Sequence, residues 1–284
     1  MSVEVVRAGL LSTVQDLGRP GLADLAVPRS GAADPASLRL ANRLVGNADD
    51  DAGVETTLLG VDLLFHAARW VAVTGATCPV RVDGRAGDAD RPLYVAAGAT
   101  LSIGAARCGV RSYLAVAGGI AVAPVLRSRS TDVLSGIGPP PLTAGTVLPL
   151  GEPHGPPAPV DTAPHPVMPT LARLRIVAGP RDDRFTPAAI RTLSTATYEV
   201  TTASDRIGVR LRGPRLAGRT GGGLPSEGVV LGAVQVPPTG QPVVFLADHP
   251  TTGGYPVIGV VDPDDLWMVA QAGPGTLIRF AAFS

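Results

Sequence analysis

Tyr113-Leu114-Ala115-Val116-Ala117 is a five-residue apolar run shut off by Gly118-Gly119, and the same grammar repeats along the chain. Trp70-Val71-Ala72-Val73, Val80-Arg81-Val82, Leu174-Arg175-Ile176-Val177 and Val243-Val244-Phe245-Leu246 are further short runs, most of them β-branched. Runs of this length bounded by Gly, Pro, Asp or Asn read as strands. The 35 glycines and 28 prolines among 284 residues supply the turns. Helical signals are few. Asp34-Pro35 opens one, with an acidic N-cap, proline at the first helical position, and Leu38, Ala41, Leu44 and Val45 on one face. Pro187 to Leu193 and Pro263 to Val269 predict two shorter helices. The chain reads as mainly β.

From Gly151 to Thr170 the composition changes. Seven prolines fall in these twenty residues, with no apolar periodicity, which predicts a linker or long surface loop. His154 and His165 lie in it as solvated side chains. The division expected is residues 1–150, a stretch 151–170, and residues 171–284. The two halves echo each other faintly. Leu58-Leu59-Gly60-Val61-Asp62-Leu63 and Leu211-Arg212-Gly213-Pro214-Arg215-Leu216 share LxGxxL, and Ala97-Gly98-Ala99-Thr100-Leu101 resembles Ala272-Gly273-Pro274-Gly275-Thr276-Leu277. Such an echo favours two similarly built β domains over one irregular sheet.

The 24 basic and 24 acidic residues cancel, so no net field favours nucleic acid or an anionic membrane. Every basic residue is arginine. Without lysine there is no Schiff base, no lysine general base, no lysine for a GxxxxGK[ST] phosphate loop, and no attachment point for biotin or lipoate. Cys78 and Cys108 lack CxxC spacing and read as small buried thiols, with a single bridge as the alternative. The N-terminus carries no charged-then-apolar leader and no run reaches about 18 apolar residues, so a cytoplasmic protein is expected. No metal-binding signature is present.

Two polar, glycine-punctuated segments stand out. One is Gln15-Asp16-Leu17-Gly18-Arg19 with Ser30-Gly31-Ala32-Ala33-Asp34; the other is Asp248-His249-Pro250-Thr251-Thr252-Gly253-Gly254-Tyr255. The second offers a carboxylate, two hydroxyls and a phenol, and Gly253 and Gly254 between them can adopt positive φ and expose backbone N–H groups to an anion or carbonyl. Together the two segments are expected to wall one cleft; the competing reading is a pair of structural turns. Asp16, Asp34, Glu55, Asp205 and Asp248 are the proton-transfer candidates, each also placed to pair with arginine. Ser128-Arg129-Ser130-Thr131 and Asp205-Arg206 alternate arginine with hydroxyl or carboxylate, a pattern that cradles a carboxylate or phosphate; a solvated arginine face is the alternative. His66 is expected in a structural position, whereas His249 sits inside the motif.

These motifs resemble the family of allophanate hydrolase subunit 2, also called the biotin-dependent carboxyltransferase family. The likeness runs from Val14-Gln15-Asp16-Leu17-Gly18-Arg19 through Ala41-Asn42-Arg43-Leu44-Val45-Gly46-Asn47, Glu55-Thr56-Thr57, Ser128-Arg129-Ser130-Thr131 and Asp205-Arg206-Ile207-Gly208. It ends in Gly232-Ala233-Val234-Gln235-Val236-Pro237 and Asp248 to Pro256. Arg127 stands where the family usually has glycine, Ile207 where it has methionine, and Ser135 to Pro140 replaces a glycine-rich stretch ending in arginine. The resemblance implies two cyclophilin-like β-barrel subdomains. It also implies action with a subunit 1 homologue of the PxpB or KipI type and a third oxoprolinase subunit of the PxpA type.

The activity implied first is that of a 5-oxoprolinase subunit, an ATP-dependent lactam hydrolase in which ATP is used by the assembled complex and no cofactor is attached to this chain. Carboxyl transfer in a urea carboxylase or allophanate hydrolase system, with biotin supplied in trans, is the second. A non-catalytic regulator that binds a kinase-inhibitor homologue is the third. Asp248 and Asp16 are the catalytic candidates. Gln15, Arg19, Ser128, Arg129, Ser130, Thr131, Arg206, Gln235, Thr251, Thr252, Gly253, Gly254 and Tyr255 are the substrate-binding ones.

Overall fold

A computed structural model describes residues 1–164, 166–218 and 224–281; His165 lies outside them. Contact density separates two units, Met1–Arg19 with Ser30–Val167, and Pro20–Arg29 with Met168–Ser284. Residues 151–167 thus go with the first unit, tied to it by Ala158 N–H donating to Leu44 O (2.9 Å) and Ala163 N–H to Asp90 O (2.7 Å).

The first unit carries β1 (Ser2–Arg7), β2 (Leu11–Gln15), α1 (Pro35–Leu44), β3 (Gly53–Thr57), β4 (Val61–Phe65), β5 (Arg69–Thr77), β6 (Val80–Val82), β7 (Arg85–Gly87), β8 (Leu93–Val95), β9 (Thr100–Ile103), β10 (Cys108–Val116) and β11 (Val147–Pro149). They form a six-stranded sheet, β11-β1-β4-β9-β6-β7, and a five-stranded one, β2-β3-β10-β5-β8. Both sheets give one face to a single core: Val3, Val5, Leu63, Phe65 and Leu101 from the first, Val14, Val54, Val73, Leu114 and Val116 from the second, all without solvent exposure. The opposite face of the five-stranded sheet is covered by α1, where Ala41, Leu44 and Val45 meet Ala72, Ala115 and Ala117. That is why Tyr113–Ala117 reads as a continuous apolar run rather than an alternating one: β10 is buried on both faces. The helix forms as expected, with Asp34 Oδ1 accepting from Ser37 N (3.1 Å) at its N-cap.

The second unit carries β12 (Leu171–Leu174), β13 (Ile176–Ala178), α2 (Pro187–Thr195), β14 (Tyr198–Val200), β15 (Gly208–Arg212), β16 (Glu227–Gly228), β17 (Ala233–Gln235), β18 (Val243–Phe245), β19 (Thr252–Gly253), β20 (Val257–Val261), α3 (Leu266–Gln271) and β21 (Leu277–Phe280). Eight strands run β12-β21-β14-β15-β18-β17-β20-β13, and β16 pairs with β19 alone. The outermost strands, β12 and β13, are consecutive in the chain with only Arg175 between them, so the sheet curls until it nearly closes. The sequence reads Leu174–Val177 as one strand; the structure breaks it at Arg175. Its N–H donates to Asp265 Oδ2 (2.7 Å), its carbonyl accepts from Asp262 N (2.9 Å), and its guanidinium clasps both Asp265 oxygens. With both main-chain groups spent on the Asp262–Asp265 turn, Arg175 leaves the ladder. That turn, a 3₁₀ segment over Pro263–Asp265, also delays the start of α3 to Leu266.

The fold is mainly β with a few short helices, as the sequence indicates. Among the described residues no helix is long and apolar enough to cross a membrane. Cys78 and Cys108 are unbridged thiols and only partly buried, not the buried thiols expected; burial still pushes the Cys78 thiol up.

Candidate functional site

In the first unit the polar segments converge on the Asp16 carboxylate. The chain leaves β2 at Gln15 and turns through Gly18 at φ +83°. Asp16 Oδ1 then accepts from Gly18 N (2.8 Å), Ser128 Oγ (2.7 Å) and Ser130 Oγ (2.5 Å), and Oδ2 from Arg129 N (2.6 Å). One carboxylate therefore pins the Ser128–Ser130 loop and its own turn through four donors. Gly31, at φ +96°, packs on this turn so closely that a Cβ would stand 2.8 Å from Gly18 N. Only glycine fits there, for conformation and for space.

Around this centre, Arg19 donates to Ser130 O (2.5 Å) and Ser30 Oγ to Thr131 O (3.0 Å). Gln15 Nε2 donates to Thr13 Oγ1 (3.0 Å) and Thr131 O (2.9 Å). Gln15 Oε1, Thr131 Oγ1 and Asp132 Oδ2 are buried with no hydrogen-bond partner among the described residues. Buried acceptors are ordinarily satisfied, so these three are unspent hydrogen-bonding capacity beside the Asp16 carboxylate. Arg129 differs from its neighbours. It is half-buried, its Nε donates to Val122 O (2.8 Å), and its two terminal nitrogens have no partner among the described residues. That end of the guanidinium keeps the geometry to accept an anion bidentately.

The loop is reached through a tight hairpin, Val125 and Ser128 exchanging both main-chain hydrogen bonds, with Leu126 at φ 52° and Arg127 at φ 67°. A left-handed conformation costs a side-chain-bearing residue roughly 1–2 kcal/mol, so Leu126 and Arg127 are both held in a conformation that glycine would adopt without that cost. Two other carboxylates named from the sequence have structural partners. Asp34 caps α1, and Glu55, buried on β3, accepts from Tyr113 OH (2.8 Å) and Ala33 N (3.0 Å) with Arg111 Nε at 3.5 Å. His66 is an exposed side chain beside Ser2 and Glu4, and His154 approaches Asp51 at 3.1 Å.

In the second unit, Asp248 and Arg206 form an ion pair at 0% and 1% exposure, Nε to Oδ2 at 2.9 Å and a terminal nitrogen to Oδ1 at 3.1 Å. Asp248 N also donates to Arg206 O (3.1 Å). The sequence names Asp248 as a catalytic candidate; its carboxylate is fully buried and both oxygens are held by Arg206, so a base here would first have to leave its partner. Arg206 likewise is no open anion receptor. Asp205, exposed, accepts from Ile207 N (2.8 Å) and Gly208 N (3.0 Å), an Asx turn into β15. His249 is buried, Nδ1 at 2.7 Å from Pro250 O and its ring against Phe245.

Gly253 and Gly254 do not use the positive φ open to glycine. Gly253 lies on β19, and a Cβ there would stand 2.6 Å from Gln235 Nε2, so the Gln235 side chain, which donates to Tyr255 O (3.0 Å), would have to shift. Thr252 and Tyr255 are exposed and Thr251 half-exposed. The sequence reading missed Glu227, whose β16 pairs with Thr252–Gly253 and whose carboxylate Arg181 Nε contacts at 2.9 Å. The hydrogen bonds from Arg181 hold the Glu227 carboxyl below the usual carboxylate range. Neither residue lies in a patterned motif, so no local signal pointed to the pair. Among the described residues no cluster of His, Cys, Asp or Glu could hold a metal ion.

Residues 25–282 match the family model for the carboxyltransferase domain, subdomains A and B. The chain is 37% identical to the C subunit of the 5-oxoprolinase of Escherichia coli, over 99% of this chain and 91% of that protein. Among solved structures, TTHA0988 superposes with a TM-score of 0.90 at 39% identity, covering 99% of this chain and 55% of that one. The urea amidolyase of K. lactis superposes with a TM-score of 0.93 at 32% identity, covering all of this chain and 19% of that one. The chain thus spans about half of TTHA0988 and under a fifth of the urea amidolyase.

Proposed function

The chain belongs to the carboxyltransferase-domain family, and from that premise we propose that it is the C subunit of an ATP-dependent 5-oxoprolinase, opening the lactam of 5-oxoproline to glutamate. The observation that carries this reading is an alignment at 37% identity that spans nearly the whole of both this chain and the C subunit of a bacterial 5-oxoprolinase. The Asp16-centred cluster supplies a matching receptor. Asp16 fixes the main chain of Arg129 and the hydroxyls on either side of it, and the free end of Arg129 takes the substrate carboxylate bidentately. The unpartnered acceptors Gln15 Oε1 and Thr131 Oγ1 suit the lactam N–H. Asp16 acts here as a positioning group, because its oxygens already accept four hydrogen bonds. ATP is consumed by the complex, which forms in the cytoplasm with a subunit 1 homologue and a third oxoprolinase subunit. Thr251, Thr252 and Tyr255 supply hydroxyls to substrate or partner.

The likeness to a urea amidolyase favours a second reading, carboxyl transfer from a biotin carried by another protein. Co-expression with the two partner subunits separates the two. ATP-dependent formation of glutamate from 5-oxoproline supports the first; activity requiring a biotinylated protein and bicarbonate supports the second and overturns the first. In the hydrolase, Arg129→Lys keeps the charge and loses the fork, so KM should rise about tenfold or more while kcat falls less.

A further inference from the structure

In the second unit Arg173 on β12 and Arg279 on β21 are direct register partners of a parallel pair. Such partners project to the same face, while Ala172, Leu174, Ile278 and Phe280 fill the core on the other. Like charges set opposite one another are destabilising, yet among the described residues neither guanidinium has a carboxylate partner. Arg173 is exposed and unbonded. Arg279 is half-buried: one terminal nitrogen donates to Thr197 Oγ1 (3.1 Å), which orients the group, and its Nε is buried with no partner. Both line a cleft of about 360 Å³ beside Ser194, Thr195, Phe280 and Ala281.

The arginines are not spent on the C-terminus of α2. Thr195 Oγ1 and Ser194 Oγ donate to Arg191 O (2.7 and 3.0 Å), and Ala196 N closes on Thr192 O (2.9 Å). Among the described residues, the Arg173 guanidinium and the second terminal nitrogen of Arg279 have no protein acceptor. We propose that this cleft binds a phosphoryl dianion, either free phosphate or the terminal phosphate of a small phosphomonoester. A charge of nearly −2 matches the two guanidiniums, and the planar forks suit bidentate contact with tetrahedral oxygens. The cleft is lined by residues of the second unit, whereas Arg129 belongs to the first, and the proposal does not rest on the 5-oxoprolinase reading.

The test is calorimetric titration of the full chain with inorganic phosphate, AMP and malonate at low ionic strength, where charge pairing is least screened. Saturable one-to-one phosphate binding is expected. It should weaken about tenfold or more in Arg173→Glu, an exposed position whose change leaves the fold intact by circular dichroism, and in Arg279→Gln. Binding that persists in Arg129→Gln assigns the signal to this cleft. Tighter binding of AMP than of phosphate identifies a phosphomonoester, and equal or weaker binding identifies free phosphate. No saturable binding, undiminished binding in both Arg173→Glu and Arg279→Gln, or malonate binding as tightly as phosphate would each overturn the proposal.

Discussion

Replacing Asp248 by Asn should damage folding before it touches chemistry. The change removes the charge that compensates Arg206, a guanidinium at 1% exposure whose Nε and terminal nitrogen both donate to Asp248. Breaking one side of a buried ion pair costs about 3–5 kcal/mol, because the remaining charge stays desolvated. With a urea dependence of about 1–3 kcal/mol per molar, the unfolding midpoint should fall by roughly 1–5 M. Trp267 on α3 is a probe inside the second unit, and substituting Trp70 of the first by Phe isolates its fluorescence. The double variant Arg206→Met, Asp248→Leu should recover much of the loss, since two matched apolar groups leave no orphan charge. A midpoint within about 0.5 M of the parent for Asp248→Asn, with the assembled complex inactive, would refute this reasoning and restore Asp248 as a base.

Tyr198 buries its hydroxyl in the second unit with no hydrogen-bond partner among the described residues, and burial pushes its pKa up to about 12. Tyr198→Phe should therefore raise stability by about 1 kcal/mol, read by urea denaturation. Burial raises the Asp265 carboxyl, but the Arg175 hydrogen bonds outweigh it and leave the group below its ordinary value. A depressed folded-state pKa gives stability that is present above the unfolded value, near 4, and lost as pH falls through the folded one. Asp265→Asn should thus narrow the stability difference from the parent as pH drops below about 4, in acid-titrated melts. Gly31→Ala must accommodate φ +96° and a 2.8 Å contact with Gly18 N, so it should cost more than about 1 kcal/mol and weaken substrate binding with it. If residues 151–170 connect two independently folded domains, limited proteolysis should cut first at 166–170. Residues 158 and 163 are tethered by their N–H groups to Leu44 and Asp90, and earliest cleavage inside 211–246 would argue against this division.

What the sequence determined is what short-range physics dictates. Strand-length apolar runs between glycines and prolines made the protein β, and Asp34-Pro35 with its apolar stripe placed α1. The Asp16 and Ser128-Arg129-Ser130 motifs were legible because acceptor, donors and guanidinium are each written in local residue types. Their meeting required β2 and the Val125–Ser128 hairpin to be brought together across more than a hundred residues, which tertiary structure alone supplies. The same holds where the reading went astray. Asp248 in a Gly- and Thr-rich loop looks solvated, and only the approach of Arg206 from 42 positions away buries and neutralises it. Gly253 looks like a turn glycine until Gln235 arrives against it. Arg175 sits in an apolar run that should propagate as one strand, yet the Asp262–Asp265 turn takes both its main-chain groups. Composition and spacing fix what each segment can do alone; burial, pairing and close approach depend on which distant segment comes to lie beside it.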